Sequence, residues 1–339
     1  MRRAALLLCA LAVVLGGCGT AAEVREPDLV SNGPKSAARP APQKQTDDNT
    51  VRIAIVTHGQ AASDFWAIVK NGSDAAARQM GVTVTYRSPD VYSVARMRQF
   101  IDEAIASRPD GLVVSIPTPA LGGAIRRAVR AGIPVVSINS GSDIFRRLGV
   151  LAHVGQLEGP AGEAAGKRLA ADGVRHALCI NHEPGNVGPD TRCRGFASAI
   201  RAAGGTVRVV PIDLRDAARA QRQIVAALRD RAVDGVLTLS SDGGEAALRA
   251  LQQTGRTDRI ALGTFDLSPD VLRAVLAGRM RFAIDQQAYL QGYLPVVLLG
   301  QFARYGLFAS QGEVIPTGPH FVTRATAAQA IRLSQRGIR

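Results

Sequence analysis

The stretch Ala62-Ser63-Asp64-Phe65-Trp66-Ala67-Ile68-Val69-Lys70-Asn71-Gly72 decides how this chain is read. It follows the apolar run Val51-Arg52-Ile53-Ala54-Ile55-Val56, the mark of a buried strand. It leads into a helix-period segment through Ala75, Ala76, Ala77 and Met80. Asp64-Phe65-Trp66 therefore sits where a strand reaches its carboxyl end and a helix begins. In open α/β sheets ligands bind in that crevice. Aromatic residues are only 4% of the chain and Trp66 is its single tryptophan. An indole beside Phe65 and a carboxylate makes a platform, because an aromatic face packs on the C–H face of a ring while the carboxylate accepts from hydroxyls. The competing reading makes Phe65 and Trp66 core residues of the first helix.

Outward from this stretch, strands and helices alternate. Strands are expected at 51–56, 82–86, 111–115 and 133–138, with a short one at 152–154, and helices at 65–80, 94–106 and 120–131 between them. The rhythm restarts with a helix at 163–171. Strands at 176–181, 207–211, 235–239, 260–265 and 282–285 then alternate with helices at 192–203, 217–229, 244–253 and 269–277. A long apolar helix at 289–303 follows. This order implies parallel sheets with right-handed crossovers. Two tandem halves imply an α/β fold of two doubly wound parallel-sheet lobes, their carboxyl strand ends facing across a cleft. The length of 339 residues and 46% hydrophobic content suit two such lobes.

The formal charge is +13, and +12 of it lies beyond residue 50. No basic run exceeds two residues and no aromatic ladder is interleaved, so nucleic-acid binding is not expected. A solvated basic surface fits better. At the amino terminus, Arg2-Arg3 precede an apolar segment over 4–15, too short to span a bilayer as a stable helix. The segment ends in Leu15-Gly16-Gly17-Cys18 and resembles the lipobox of bacterial lipoproteins. A signal peptide over 1–17 and a lipidated Cys18 are expected, with a membrane anchor on the extracytoplasmic face. Residues 20–50 are polar and Pro-rich and read as a disordered tether. Cys179 and Cys193 remain, and outside the cytosol they are a disulfide candidate.

Polar residues cluster where the expected strands end. Asn139 and Ser140 follow the fourth strand; His153, Gln156 and Glu158 surround the short fifth. His182 follows 176–181, and Arg192 opens the next helix. Ser241 and Asp242, then Asp266, then Gln286 follow the later strands. Amides, carboxylates and one Arg match a polyhydroxylated ligand, whose hydroxyls each need a donor and an acceptor. Each has a bland alternative. Arg192 could pair with Asp190 on the surface, Asn139 could be a turn residue, and Asp242 could cap a helix. Asp266 could cap the turn before Pro269, and Gln286 could satisfy a hinge backbone group. No catalytic triad order, metal-ligand spacing or cofactor motif stands out. Gly162…Gly166-Lys167-Arg168 is one residue short of a phosphate-binding loop and has Arg where Ser or Thr belongs.

Over 51–323 the chain is similar to the type I periplasmic solute-binding proteins of the ribose/galactose-binding kind, which feed ABC importers. The resemblance is carried by Asp64-Phe65-Trp66…Gly72, Pro134-Val135-Val136-Ser137-Ile138-Asn139, Arg192-Cys193-Arg194-Gly195-Phe196, Phe265-Asp266 and 286–293. It implies that Phe65 and Trp66 stack on a sugar beside Asp64. It implies that Arg192 forks onto ligand oxygens and that Asp266 and Gln286 bind hydroxyls. Asn139 stands where sugar binders often have Asp, and Ser140 where ribose binders have Arg. Ser241, beside Asp242, stands where Asn is common. Ribose and plain aldohexoses are therefore disfavoured; another monosaccharide, a polyol or a furanosyl signal molecule fits. His153, Gln156, Glu158 and His182 are weaker ligand candidates. The resemblance implies a monomeric receptor without catalysis, handing its ligand to a membrane permease; presentation to a sensor kinase or chemoreceptor is the alternative. The lobes are expected at 51–154 plus 288–318 and at 155–287 plus 319–339, hinged near Val154, Gln287 and Pro319.

Overall fold

In the computed structural model, residues 50–59, 63–90, 92–310 and 312–339 are described. The expected signal segment over 1–17, Cys18, most of the expected tether and Ala62 lie outside them. Five-residue β1 (Arg52–Val56) is apolar at every position but Arg52, so it suits the middle of a sheet covered on both faces. It pairs in parallel with β2 (Thr83–Arg87) on one side and β3 (Gly111–Ser115) on the other. β4 (Val135–Ile138), β5 (Ala152–Gly155) and the late strand β11 (Val314–Pro316) complete the first sheet, in the order β11-β5-β4-β3-β1-β2. The second sheet is built the same way from β6 (His176–Asn181), β7 (Thr206–Pro211), β8 (Gly235–Thr238), β9 (Ala261–Phe265), β10 (Phe282–Asp285) and β12 (His320–Val322). Its order is β12-β10-β9-β8-β6-β7, with β12 antiparallel to β10.

Helices cover both faces of each sheet. In the first lobe, α1 (Asp64–Met80) and α9 (Ala288–Tyr305) lie on one face, while α2 (Val94–Ala106) and α3 (Gly122–Arg130) lie on the other. In the second, α4 (Glu158–Ala171) and α5 (Val187–Ala202) face α6 (Ala217–Ala227), α7 (Ser241–Gln253), α8 (Pro269–Leu276) and α10 (Ala327–Ser334) across the sheet. Each lobe thus has two apolar cores, one on each face of its sheet. Glycines set how closely paired helices approach. A Cβ on Gly72 would lie 2.0 Å from the Tyr289 carbonyl oxygen, and one on Gly162 2.1 Å from that of Arg192. The near-phosphate-loop spacing around Gly162 is therefore the packing seam between α4 and α5.

Several expected boundaries shift. α4 and α5 each start five residues early, because Pro160 and Pro189 stand in first turns, where a missing N–H costs nothing. α7 starts at Ser241 because Ser240, not Asp242, caps it, its side chain accepting from Gly243 N. β11, β12 and α10 were not expected. The two strands are three residues each and pair only at the edges of sheets, so periodicity does not reveal them. The chain passes between the sheets after β5, after β10 and between β11 and β12, all at one edge of the molecule. The edge strands β2 and β7 lie at the opposite side. Among the described residues no helix is long and apolar enough to cross a membrane.

Candidate functional site

The carboxyl ends of the two sheets' strands border a cavity of about 400 Å³, within the range of small-molecule sites. Phe65 and Trp66, in the first turn of α1, line it. Trp66 is 8% exposed and belongs to the first-lobe core as well. The indole is thus packed into the core on one side and lines the cavity on another. Its ring lies edge-on to His58 at 5.0 Å and to Phe65 at 5.1 Å. Gly59 makes this possible, since a Cβ there would fall 1.7 Å from the indole nitrogen. Asp64 is exposed on α1 and does not line the cavity.

Asn139 after β4 and Asp266 after β9 occupy matching places in the two lobes. Both adopt left-handed backbone, φ 60° and 66°. Asn and Asp tolerate that conformation better than other side chains. Both line the cavity. The hinge residue Gln287 shares the geometry, φ 53°, with its N–H donating to Asp285 Oδ1 at 2.6 Å.

Arg192 enters the cavity from the second turn of α5 but is already engaged. Its Nε and Nη2 donate to Glu158 at 2.5 and 2.9 Å, and Nη2 donates to Gln286 Oε1 at 2.8 Å. Its guanidinium sits 4.6 Å over the Phe265 ring. Burial opposes its charge, yet Glu158 holds its pKa above the ordinary value. Asp190, the alternative partner, instead accepts from Asn181 Nδ2 and Gly185 N. Gln286 Nε2 donates in turn to Asp266. Burial pushes the Asp266 carboxyl up to about 7, against the pull of Arg192 and that hydrogen bond. A chain Glu158–Arg192–Gln286–Asp266 thus forms the hinge-side wall.

Ser241 and Asp242, in the first turn of α7, also line the cavity, and burial raises the Asp242 carboxyl, helped by the charge of Asp64. His182 lines it with Nδ1 free of any hydrogen bond, and burial lowers its pKa. Ser140 does not line the cavity; its hydroxyl is shared between Asn139 Oδ1 and Asn186 Oδ1, each at 3.2 Å. Glu158 lies behind Arg192, and Gln156 Nε2 donates to it at 3.0 Å. His153 is fully buried against Ser137, 3.0 Å away, and burial drives its pKa down to about 3. Cys179 of β6 and Cys193 of α5 are joined in a disulfide. This crosslink fixes the helix that carries Arg192 to β6, the strand beside edge strand β7 in the second sheet.

The sequence reading leaves out His58 and Tyr92, and does not pick Glu183 or Asn186, polar residues after the strand at 176–181, as ligand candidates; all four line the cavity. His58 and Tyr92 follow β1 and β2, so the strand-end rule would have found them had it been applied to the first two strands. Glu183-Pro184-Gly185 reads as turn chemistry, and that masked the carboxylate. Gln291, buried on α9, was not singled out either. Its side chain reaches Asn139 Nδ2, the Gln286 carbonyl and Thr317 Oγ1, touching residues that follow β4, β10 and β11. Among the described residues no group of three or more His, Cys, Asp or Glu is placed to hold a metal ion.

Comparison with known proteins gives the family. The family described as periplasmic binding protein domain matches residues 53–306. The solved carbohydrate transporter of Acidothermus cellulolyticus 11B, in complex with myo-inositol, is 34% identical with a TM-score of 0.81. That match covers 86% of this chain and 100% of the other. The xylose/arabinose-binding protein XylF of Sulfolobus acidocaldarius is 25% identical over 81% of this chain and 72% of its own length. The ribose import binding protein RbsB of Haemophilus influenzae is 23% identical over 74% of this chain and 84% of its own. By its family match and its two doubly wound lobes, the chain belongs to the periplasmic binding proteins, extracytoplasmic receptors of the sugar-transporter kind that bind without catalysis.

Proposed function

We propose that this protein captures a cyclic polyol or monosaccharide between its lobes and delivers it to the membrane permease of an ABC importer. One observation carries the reading: a cavity of about 400 Å³ with an indole on one wall and hydrogen-bonding groups of both lobes around it. Trp66 and Phe65 would cover the apolar face of the ring. Asn139, Arg192 Nη1, Ser241, Asp242, Asp266, Gln286 and His182 would share its hydroxyls. Most of these groups can accept a hydrogen bond, which suits a ligand made largely of hydroxyl donors. A cyclitol meets this demand all round its ring, whereas a pyranose ring oxygen asks for a donor. The likeness to a protein solved with myo-inositol supports the cyclitol, and the likeness to a xylose/arabinose-binding protein keeps pentoses in view.

Residues 51–154 with 288–318 would move against 155–287 with 319–339 about the three crossings. Ligand contacts made only when the lobes are together would shift the open–closed balance. The lipobox-like Leu15-Gly16-Gly17-Cys18 supports anchoring through a lipidated Cys18 after removal of 1–17, holding a monomeric receptor near its permease. Isothermal titration against myo-inositol, xylose, arabinose and ribose tests the reading. Saturable heat with myo-inositol, lost in Trp66→Ala, is the expected result. No heat with any of the four, together with no retained small molecule by native mass spectrometry, would overturn it.

A further inference from the structure

Beside the cavity the two lobes meet through Asn186, next to a direct approach of His58 Nε2 to Glu183 Oε2 at 3.7 Å. Asn186 of the second lobe caps α5 and is 2% exposed. Its Oδ1 accepts from Gly188 N at 3.0 Å and from Ser140 Oγ of the first lobe at 3.2 Å. Its Nδ2 donates to Glu183 Oε2 at 2.6 Å and lies 3.3 Å from His58 Nε2 of the first lobe. Ser115 holds that imidazole in place, its Oγ lying 2.8 Å from His58 Nδ1 and accepting from His58 N at 2.9 Å. The next residue, Val187, donates its backbone N–H to the Pro117 carbonyl of the first lobe at 2.9 Å. These contacts pair loops after β1, β3 and β4 with the single loop between β6 and α5. Those from Asn186 to Ser140 and His58, and from Val187 to Pro117, are lost if the lobes separate, while the contacts with Gly188, Glu183 and Ser115 stay within one lobe.

We propose that Asn186 is the clasp of lobe closure, a positioning residue that ties His58 and Ser140 of one lobe to Glu183 of the other. It sets how long the receptor stays shut. The donor and acceptor ends of its amide are both used, one set within its own lobe and one across the gap. Closure therefore asks for no new cap, only for two partners to arrive. Each such hydrogen bond has a net worth that shifts an equilibrium by roughly two- to tenfold. The clasp also has a pH sense. His58 faces Glu183, His182 and Arg192 from the second lobe, with Tyr92 and Trp66 edge-on beside it in the first. Burial lowers the His58 pKa, the Glu183 charge resists, and His182 and Arg192 add to the lowering. Closure thus favours the neutral imidazole, which accepts from Asn186. Its contribution is present above the ordinary His pKa of about 6.5 and is lost on acidification through the lowered value.

The inference rests on the binding reading only for its ligand arm. Asn186→Ser keeps a capping oxygen but cannot span to His58. Hydrogen exchange of the full chain followed by NMR reads the Val187 amide, whose partner lies in the other lobe. We expect about tenfold faster exchange at Val187 in Asn186→Ser, unchanged exchange in β6, and a larger radius of gyration in small-angle scattering. With myo-inositol as the probe, the dissociation rate should rise by a similar factor. His58→Gln should give a shallower acid loss of the compact form than wild type. Unchanged Val187 exchange and an unchanged radius would overturn the clasp. So would faster exchange of Val187 and β6 together, which marks a loosened helix. If wild type gives no heat with myo-inositol, the ligand reading falls while the exchange arm still decides the clasp.

Discussion

Glu158→Gln removes one charge from the hinge-side wall and almost no volume. Glu158 and Arg192 are each 4% exposed, and the carboxylate takes the guanidinium through two hydrogen bonds, at 2.5 and 2.9 Å. Breaking a buried pair by neutralising one partner costs about 3–5 kcal/mol, because the other charge is left uncompensated. Two groups soften the loss here. Gln286 Oε1 still accepts from Arg192 Nη2. Asp266, whose carboxyl is held up partly by the Glu158 charge, ionises more readily once that charge is gone. The expected cost is therefore at the low end, about 3 kcal/mol. Unfolding entropy for a chain of roughly this length is about 0.6 kcal/mol/K, so Tm should fall by about 5 °C. Calorimetry of wild type and variant at pH 7.5 measures it, and titration of the folded variant should show weakened binding, because Arg192 and Gln286 are no longer held in register. A Tm within 1 °C of wild type together with full affinity would refute the view that Glu158 organises the wall from behind.

Other outcomes follow from the same geometry. Trp66→Ala should lose about 3–5 kcal/mol of stability, since the indole is 8% exposed; Trp66→Leu should recover most of that but not the ligand heat, and a Leu variant of full affinity would remove the stacking role. The raised Asp266 carboxyl makes the apo protein most stable below the unfolded Asp pKa of about 4 on this account, with that contribution lost as pH rises to about 7. Asp266→Asn should flatten this slope in urea titrations while weakening ligand binding. Cys179→Ser/Cys193→Ser opens a loop of sequence separation 14, and the chain-entropy account predicts a loss of about 3 kcal/mol; a Tm indifferent to the pair would contradict it.

The doubly wound architecture was legible because parallel strands covered on both faces are written as apolar runs, and such runs recur between helix-period segments. Strand-end logic also found Trp66, Asn139, Arg192, Asp242, Asp266 and Gln286, all on the cavity wall. It misjudged what several neighbours do. Ser140, Gln156 and Glu158 lie beside the cavity in sequence and behind it in space, holding Asn186 and Arg192. A one-dimensional reading orders residues by distance from a strand end; it does not say which side chains another residue has already taken.

By itself the sequence determined the alternation, the two-lobed class and the zone from which the site is built, because these depend on local periodicity and on where strands must stop. It also marked Cys179 and Cys193 as the pair to watch. Only the tertiary structure decided that Arg192 meets Glu158 rather than Asp190. The same holds for β11 and β12, which join opposite sheets, and for Asn186, which bridges the lobes. Those outcomes depend on groups far apart in the chain coming within hydrogen-bond reach. Burial then makes each unpaired charge costly enough to select one partner over another.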